Sequence, residues 1–374
     1  HAFEPKHRYH DPKSAPAKPR WDMVDIAFVE KLPRLVTLQE IRETAALPYV
    51  PWGAKLLLEE WATAEPHLRV WLHARVTHTV VDGGRLRGVA ASVRGGRLAL
   101  SARVFVDATG DAELTRLAGA PVLRGASLQY PSTMFTMQHV DLAAALGALR
   151  ELPRLLASHF EREGLPRKSG NLIPSGRPGE VLVALSRVSF GERPLDAGDP
   201  DELTWGEFEG RRQVARLAEF LRRHVPGFGD AFVADSAFRL GVRETRRIDG
   251  EWPLRGEDVL AGRRCADGIG RAAWPIERHV AGGETKWQFL PPGVHYDIPF
   301  RCLIPRGIEN LLAVGRCVAA DADGFASLRV IGPCMLEGQA AAVAARQIRD
   351  HDVTTRSLDL DAVRHDLTHL QVPL

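Results

Sequence analysis

Three arginines, Arg243, Arg246 and Arg247, crowd around Glu244 in the segment GVRETRRIDG, residues 241–250. A guanidinium presents its donors as a planar fork, so such a cluster can clamp a carboxylate at two points or pair internally with the glutamate. An ion-pair network within the fold accounts equally well for any one of them. Further on, WPIERH (274–279) runs into a glycine pair, Gly282 and Gly283. His279 carries the side chain that takes up a proton near neutral pH, although a lone histidine in a loop is as a rule a surface residue. His295 and Tyr296 follow Pro291-Pro292-Gly293. In that loop Tyr296 either donates a hydrogen bond to a bound molecule or packs beneath the returning chain.

The elements that would position such groups are clearest in residues 310–348, NLLAVGRCVAADADGFASLRVIGPCMLEGQAAAVAARQI. The pattern predicts a short buried strand (311–314), a turn at Gly315 and Arg316, a polar loop, a start signal at Gly332 and Pro333, and an alanine-rich helix. Leu336, Ala340, Val343, Ala344 and Ile348 give that helix one apolar face. The N–H groups of its first turn suit an electron-rich or anionic ligand. A second strand and turn, VFVDATGD (104–111), ends in Asp107-Ala108-Thr109-Gly110-Asp111. Asp111 there either caps a following helix or belongs to a ligand turn, and Gly110 serves both readings.

Together these blocks resemble the FAD-dependent oxidoreductases with a glutathione-reductase type of FAD domain. GVRETRRIDG followed by YDIPFRCLIP (296–305) resembles one bacterial family within that group, and the likeness runs over residues 51–349. The resemblance implies FAD as cofactor. It puts Gly315 and Arg316 beside the ribityl and phosphate portion, brings Thr109, Gly110 and Asp111 back to the cofactor, and aims the helix opened by Gly332 and Pro333 at the pyrimidine side of the flavin. Arg329 reaches the same locus or pairs with Asp321 or Asp323. The implied reaction is hydride transfer from a small polar donor to flavin, with His279 as base, Arg243 or Arg247 orienting the donor, and Tyr296 as a further contact. Residues 338–342 read GQAAA where that family shows GQAAG, a change of one methyl.

One part of the pattern is absent. No Gly-x-Gly-x-x-Gly turn for the FAD pyrophosphate is present, since the pairs Gly83-Gly84 and Gly95-Gly96 sit between alternating runs as hairpin turns. With His1 in first place, the expectation is a fragment, a processed chain, or one part of a split flavoprotein whose separate partner chain brings the glycine-rich turn. The rival is a non-catalytic binding or scaffold subunit.

The predicted fold is α/β: a discontinuous FAD-binding domain, incomplete at its N-terminus, with an inserted mixed α+β substrate domain. An N-terminal arm and short helices occupy 1–50, the first part of the FAD domain 51–125, the substrate domain 126–299, the second FAD part 300–350, and a tail 351–374. The arm (1–20) holds His1, His7 and His10, read as a solvated tail and not a metal site, and 21–46 is read as two short helices. Expected after it are a helix over 52–64, strands over 68–74, 77–81, 85–93, 97–101 and 104–106, a strand over 131–140 with Asp141 capping the next helix, a loop over 158–179, a strand over 181–190, and a helix over 205–225 with a solvated arginine face.

A length of 374 residues, 45% hydrophobic and 26% charged, suits a globular protein with one large core or two modest ones. A net charge of +2 gives no sign of nucleic acid or membrane, which leaves a small-molecule substrate as the expected partner. Cys265, Cys302, Cys317 and Cys334 have neither zinc-site nor disulfide spacing, and Cys302 is read as inert in an apolar strand. A reducing compartment, the cytoplasm, is the expectation.

Overall fold

The computed structural model describes residues 51–374 apart from 127, 149–150, 176 and 282–283. The N-terminal arm with its three histidines, the two short helices, and Gly282 and Gly283 lie outside the described residues. The rest is a mixed α/β structure in two units. One comprises Gly125–Thr245 and Glu277–Trp287, and the other, the larger, holds the remaining described residues. No helix among the described residues is long and apolar enough to cross a membrane.

In the larger unit, helix Pro51–Ala64 precedes a three-stranded antiparallel meander, Arg75–Asp82, Arg85–Val93 and Gly96–Ser101. Gly83 and Gly84 turn its first hairpin at φ of 56° and 74°, as a tight turn with left-handed backbone demands. The strand expected over 68–74 is not formed. Leu68, Val70, Trp71 and Leu72 are exposed, and His73 breaks the extended run at φ 56°. Without a buried face, apolar composition alone does not make a strand.

The chain then enters strand Phe105–Asp107, which pairs in parallel with Leu311–Ala313 in the register Phe105 to Leu311 and Asp107 to Ala313. Asn310 ties the meander to this pair. Its Oδ1 accepts from Leu86 N at 2.8 Å, and its Nδ2 donates to the carbonyls of Leu86 and Arg103, each at 2.8 Å. Helix Ile331–His351 buries Leu336, Ala340, Val343, Ala344 and Ile348, the face its spacing predicts. Helix Leu360–His369, capped by Asp359, adds Val363 and Leu367 to the unit's core. The polar loop predicted before helix Ile331–His351 contains a further helix, Ala322–Leu328, started by Asp321, whose carboxylate accepts from Asp323 N and Gly324 N. Cys302 lies in a 3-10 turn, Phe300–Leu303, and not in a strand.

The smaller unit is built on a four-stranded antiparallel sheet in the order Phe232–Ser236, Phe135–Gln138, Val181–Ala184, Asn171–Pro174. Strand Asn171–Pro174 falls within the predicted loop. The strand predicted over 181–190 leaves the ladder at Ala184, because the Ser186 hydroxyl takes over the pairing, accepting from Thr133 N at 2.7 Å and donating to Thr133 O at 2.6 Å. Strand Phe135–Gln138 is shorter than predicted and stops at His139, which has φ 60°. Asp141 caps the next helix, accepting from Ala143 N and Ala144 N. Helix Pro200–His224 starts earlier than predicted, since Asp199 caps it and Pro200 opens it. Its Val214, Leu217, Ala218, Phe220 and Leu221 share one core with Phe135, Met137, Val181 and Val183. Its arginines form exposed pairs with Glu207, Glu209 and Glu219, the solvated face the sequence predicts.

Candidate functional site

Two strand-end turns meet in the larger unit. Asp107, wholly buried, closes the first: its Oδ1 accepts from Thr109 N (3.1 Å) and Thr109 Oγ1 (2.7 Å), and its Oδ2 from Thr115 N and Thr115 Oγ1, both at 2.8 Å. Four donors satisfy a carboxylate that would otherwise be costly to bury. Thr109 Oγ1 in turn accepts from Glu113 N at 3.0 Å, at the start of helix Glu113–Leu117.

Asp111 is therefore not the helix cap. The cap position belongs to Ala112, in left-handed backbone at φ 50°, and Asp111 Oδ1 lies 2.9 Å from Arg316 Nη1 in the second turn. Gly110, at φ 74°, leaves room for that side chain: a Cβ here would stand 2.8 Å from Arg316 Nε. Gly315, at φ 78°, has nothing within 4 Å of where its Cβ would be, so the second turn is open to a close-approaching group.

Below Gly315 lies Glu337, on helix Ile331–His351. Its Oε2 accepts from Gly315 N at 2.6 Å, and its Oε1 has no hydrogen-bond partner among the described residues. Complete burial drives the carboxyl pKa well above its ordinary range, against the smaller opposing pull of the Gly315 N–H. The same helix begins at Val330 with no side-chain cap, and Gly332 and Pro333 lie in its first turn. Arg329 is the C-cap residue of helix Ala322–Leu328 immediately before it. Burial disfavours the thiolate form of the nearby cysteines, pushing Cys317 up to about 12 and raising Cys302 and Cys334 as well.

The arginine cluster of 241–250 is dispersed. Arg243, in the smaller unit, donates to Tyr130 O at 2.5 Å and to Ser132 Oγ at 2.9 Å. Arg246 and Arg247 are in the larger unit. Arg246 braces the first turn through Asp111 O (3.2 Å) and Glu113 Oε2 (2.9 Å). Arg247 donates to Asp321 O at 3.1 Å and lies over the Phe325 ring. Tyr296 is wholly buried in the larger unit, its hydroxyl 2.6 Å from Ser327 Oγ, which donates to Trp274 O. His295 Nε2 is 2.7 Å from Arg264 Nη1.

His279 is a buried residue at the end of strand Ile276–His279, and not a loop residue on the surface. Its Nδ1 is 3.2 Å from Thr285 Oγ1 and its Nε2 is 3.3 Å from Glu277 Oε1. Thr285 Oγ1 also accepts from Arg167 Nη2 (3.1 Å) and Arg187 Nη2 (3.3 Å). With both oxygen lone pairs taken, the Thr285 proton is left to donate to Nδ1, which puts the imidazole proton on Nε2 toward Glu277. Hydroxyl, imidazole and carboxylate in series are the components of a proton relay. Arg167 and Arg187 are themselves buried, and neither forms an ion pair among the described residues. Burial lowers both pKa values, that of Arg187 to about 10 with Arg167 adding repulsion.

Thr115, Glu337, Thr285, Arg167 and Arg187 are not among the residues the sequence singles out, and Asp107 enters there only as the first residue of its turn. Glu337 alone left a signal there, because it interrupts the stripe of positions 336, 340 and 344 that its helix buries.

Residues 21–367 match the FAD dependent oxidoreductase family, and the chain belongs to it. It is a flavoprotein sequence whose cofactor is FAD. No curated protein matches the chain. Among solved structures it is similar to p-nitrophenol 4-monooxygenase from Pseudomonas putida, at 12% identity and a TM-score of 0.37, over 86% of this chain and 55% of that one. It is also similar to a geranylgeranyl bacteriochlorophyll reductase-like protein from Thermoplasma acidophilum, at 13% identity and a TM-score of 0.39, over 85% of this chain and 57% of that one. The chain thus spans little more than half the length of either structure. At these scores the assignment rests on the family match.

Proposed function

We propose that the chain is the catalytic part of an FAD-dependent oxidoreductase that oxidises a small anionic donor, such as a hydroxy or amino carboxylate, by hydride transfer. The two turns of the larger unit fit the cofactor. Gly110 and Gly315 supply left-handed backbone, the second turn is open above Gly315, and Arg316 Nη1 is a buried donor with no hydrogen bond among the described residues. Gly315, Arg316, Thr109, Gly110 and Asp111 would hold FAD, with Arg329 and the first turn of helix Ile331–His351, at Gly332 and Pro333, placed for the flavin end. FAD when bound supplies the hydride acceptor.

The observation that carries the reading is the set of groups around Thr285. A donor losing hydride must also lose a proton. Once its anionic group draws Arg167 or Arg187 off Thr285 Oγ1, its own hydroxyl or amine can donate to the freed lone pair while the Thr285 proton passes to His279 Nδ1 and Glu277 stabilises the imidazolium. Arg167 and Arg187, buried charges without an ion-pair partner among the described residues, favour an anionic group on the donor. Arg243 and Arg247, the orienting residues expected from sequence, are occupied by backbone carbonyls, and the Tyr296 hydroxyl bonds within its own core.

Anaerobic mixing of the FAD-loaded protein with hydroxy and amino carboxylates tests this by flavin bleaching. Reduction by one of them, slowed by about 10²-fold or more in His279→Gln and Thr285→Val at unchanged FAD content, is the expected result. Unchanged rates in both variants would exclude the relay, and faster reduction by uncharged alcohols than by carboxylates would exclude the anionic donor.

A further inference from the structure

In the smaller unit two helices end against each other. His159 is the last residue of helix Leu152–His159 and His224 the last of helix Pro200–His224, their ring centroids 4.3 Å apart. Buried Phe220 lies beside both, 5.5 Å from the His159 ring and 5.1 Å from that of His224, and so backs the pair on the core side. Glu163 comes round on the turn after the first helix, its backbone N donating to His159 O at 2.9 Å, and sets its Oε1 2.8 Å from His224 Nε2. One ligand atom from each of the three side chains lies within 4.8 Å of the other two.

We infer that His159, Glu163 and His224 form a binding site for a divalent transition-metal ion of the zinc type. Two imidazoles and one carboxylate are a donor set that Zn²⁺ takes, at about 2.0–2.2 Å from each, with water completing the tetrahedron. The site is also prepared beyond its ligands. Ser158 Oγ donates to Leu155 O (3.0 Å), and His159 Nδ1 lies 2.9 Å from that carbonyl and 3.0 Å from the same hydroxyl. A carbonyl oxygen only accepts, so Nδ1 carries the proton and the neutral ring keeps its lone pair on Nε2, the arrangement by which ligand histidines are oriented. His224 and Glu163 are each only about a fifth to a quarter exposed, at 25% and 21%, so both are partly desolvated yet reachable. The opposing charge is Arg162, whose Nη2 is 3.5 Å from Glu163 Oε1, but its own side chain is 66% exposed and can swing into solvent.

A bound ion would join the ends of two helices and the turn between them, giving the smaller unit a cross-link in a chain whose four cysteines are all free thiols.

The test is equilibrium dialysis of the purified full chain against Zn²⁺ with metal analysis, paired with thermal unfolding. To remove competing histidines, the reference protein carries His7→Ala, His10→Ala and His365→Ala. The expected result is one Zn²⁺ per chain and a rise in melting temperature on adding the metal, with affinity falling at least 10–100-fold in His224→Ala. Glu163→Gln, which can still hydrogen-bond His224 and so preserves the apo structure, is expected to lose the same affinity while its metal-free melting temperature stays put. Substoichiometric Zn²⁺ in the reference protein, or equal binding by reference and Glu163→Gln, would overturn the assignment.

Discussion

Arg316 Nη1 and Asp111 Oδ1 stand 2.9 Å apart, joining the turn after Phe105–Asp107 to the turn after Leu311–Ala313, two segments whose strands pair in parallel. The contact is an ion pair and not an aligned hydrogen bond, since Nη1 has no hydrogen-bond partner among the described residues. It therefore fixes the position of the guanidinium while leaving donor capacity for a ligand. Partial exposure, 24% and 38% for the two side chains, keeps its own worth small, about 0.2–1 kcal/mol.

Arg316→Gln is accordingly expected to cost little in stability, yet to raise the FAD dissociation constant about tenfold or more, because a charge-assisted contact to the cofactor is lost. Asp111→Asn, which keeps the size of the side chain and loses the charge facing Arg316, should weaken FAD less. Flavin fluorescence titration, with denaturant unfolding alongside, separates the two effects. Equal losses in stability and in FAD affinity for Arg316→Gln would mark a purely structural residue.

Asp107 has the opposite balance. All four of its bonds are internal, to Thr109 and Thr115, so Asp107→Asn turns one acceptor oxygen into a donor facing donors. A loss on the order of 3 kcal/mol is expected, and the urea midpoint measures it. Flavin affinity should fall only as far as the turn unfolds.

For Glu337 the sign of the pH effect is fixed by its raised pKa. A carboxyl whose folded pKa lies above its unfolded value, about 4.3, contributes its full stability below that value and loses it as pH rises toward the folded pKa. Glu337→Gln keeps an acceptor for Gly315 N and cannot ionise. It is expected to melt higher than the parent at pH 8, with the gap closing toward pH 4. Parallel melting profiles would show that Glu337 ionises without cost in the folded protein.

The parts of the fold that depend on short-range pattern were legible in the sequence. Helix Ile331–His351 shows its buried stripe as a period, and the meander shows its turns as glycine pairs. What misled was apolar composition without a partner surface, as in 68–74, and side chains that replace backbone partners, as Ser186 does in ending strand Val181–Ala184. The candidate site divides the same way. Glycines 110 and 315 announce themselves by type and place, because only backbone geometry is needed to read them. The arginines 243, 246 and 247, adjacent in sequence, go to three different sets of partners, while Arg167, Arg187 and Thr285, far apart in sequence, converge on one. Which side chains meet across a sheet is set by tertiary register, and a single sequence does not display it.

The most direct measurement is the visible spectrum of the purified chain after incubation with FAD and desalting, with Gly110→Ala run beside it. Left-handed backbone at residue 110 costs a residue with a Cβ roughly 1–2 kcal/mol, and the added carbon displaces Arg316. Flavin held by the parent chain and lost from the variant is the expected result. A colourless parent, or equal flavin in both, would contradict the placement of FAD on these two turns.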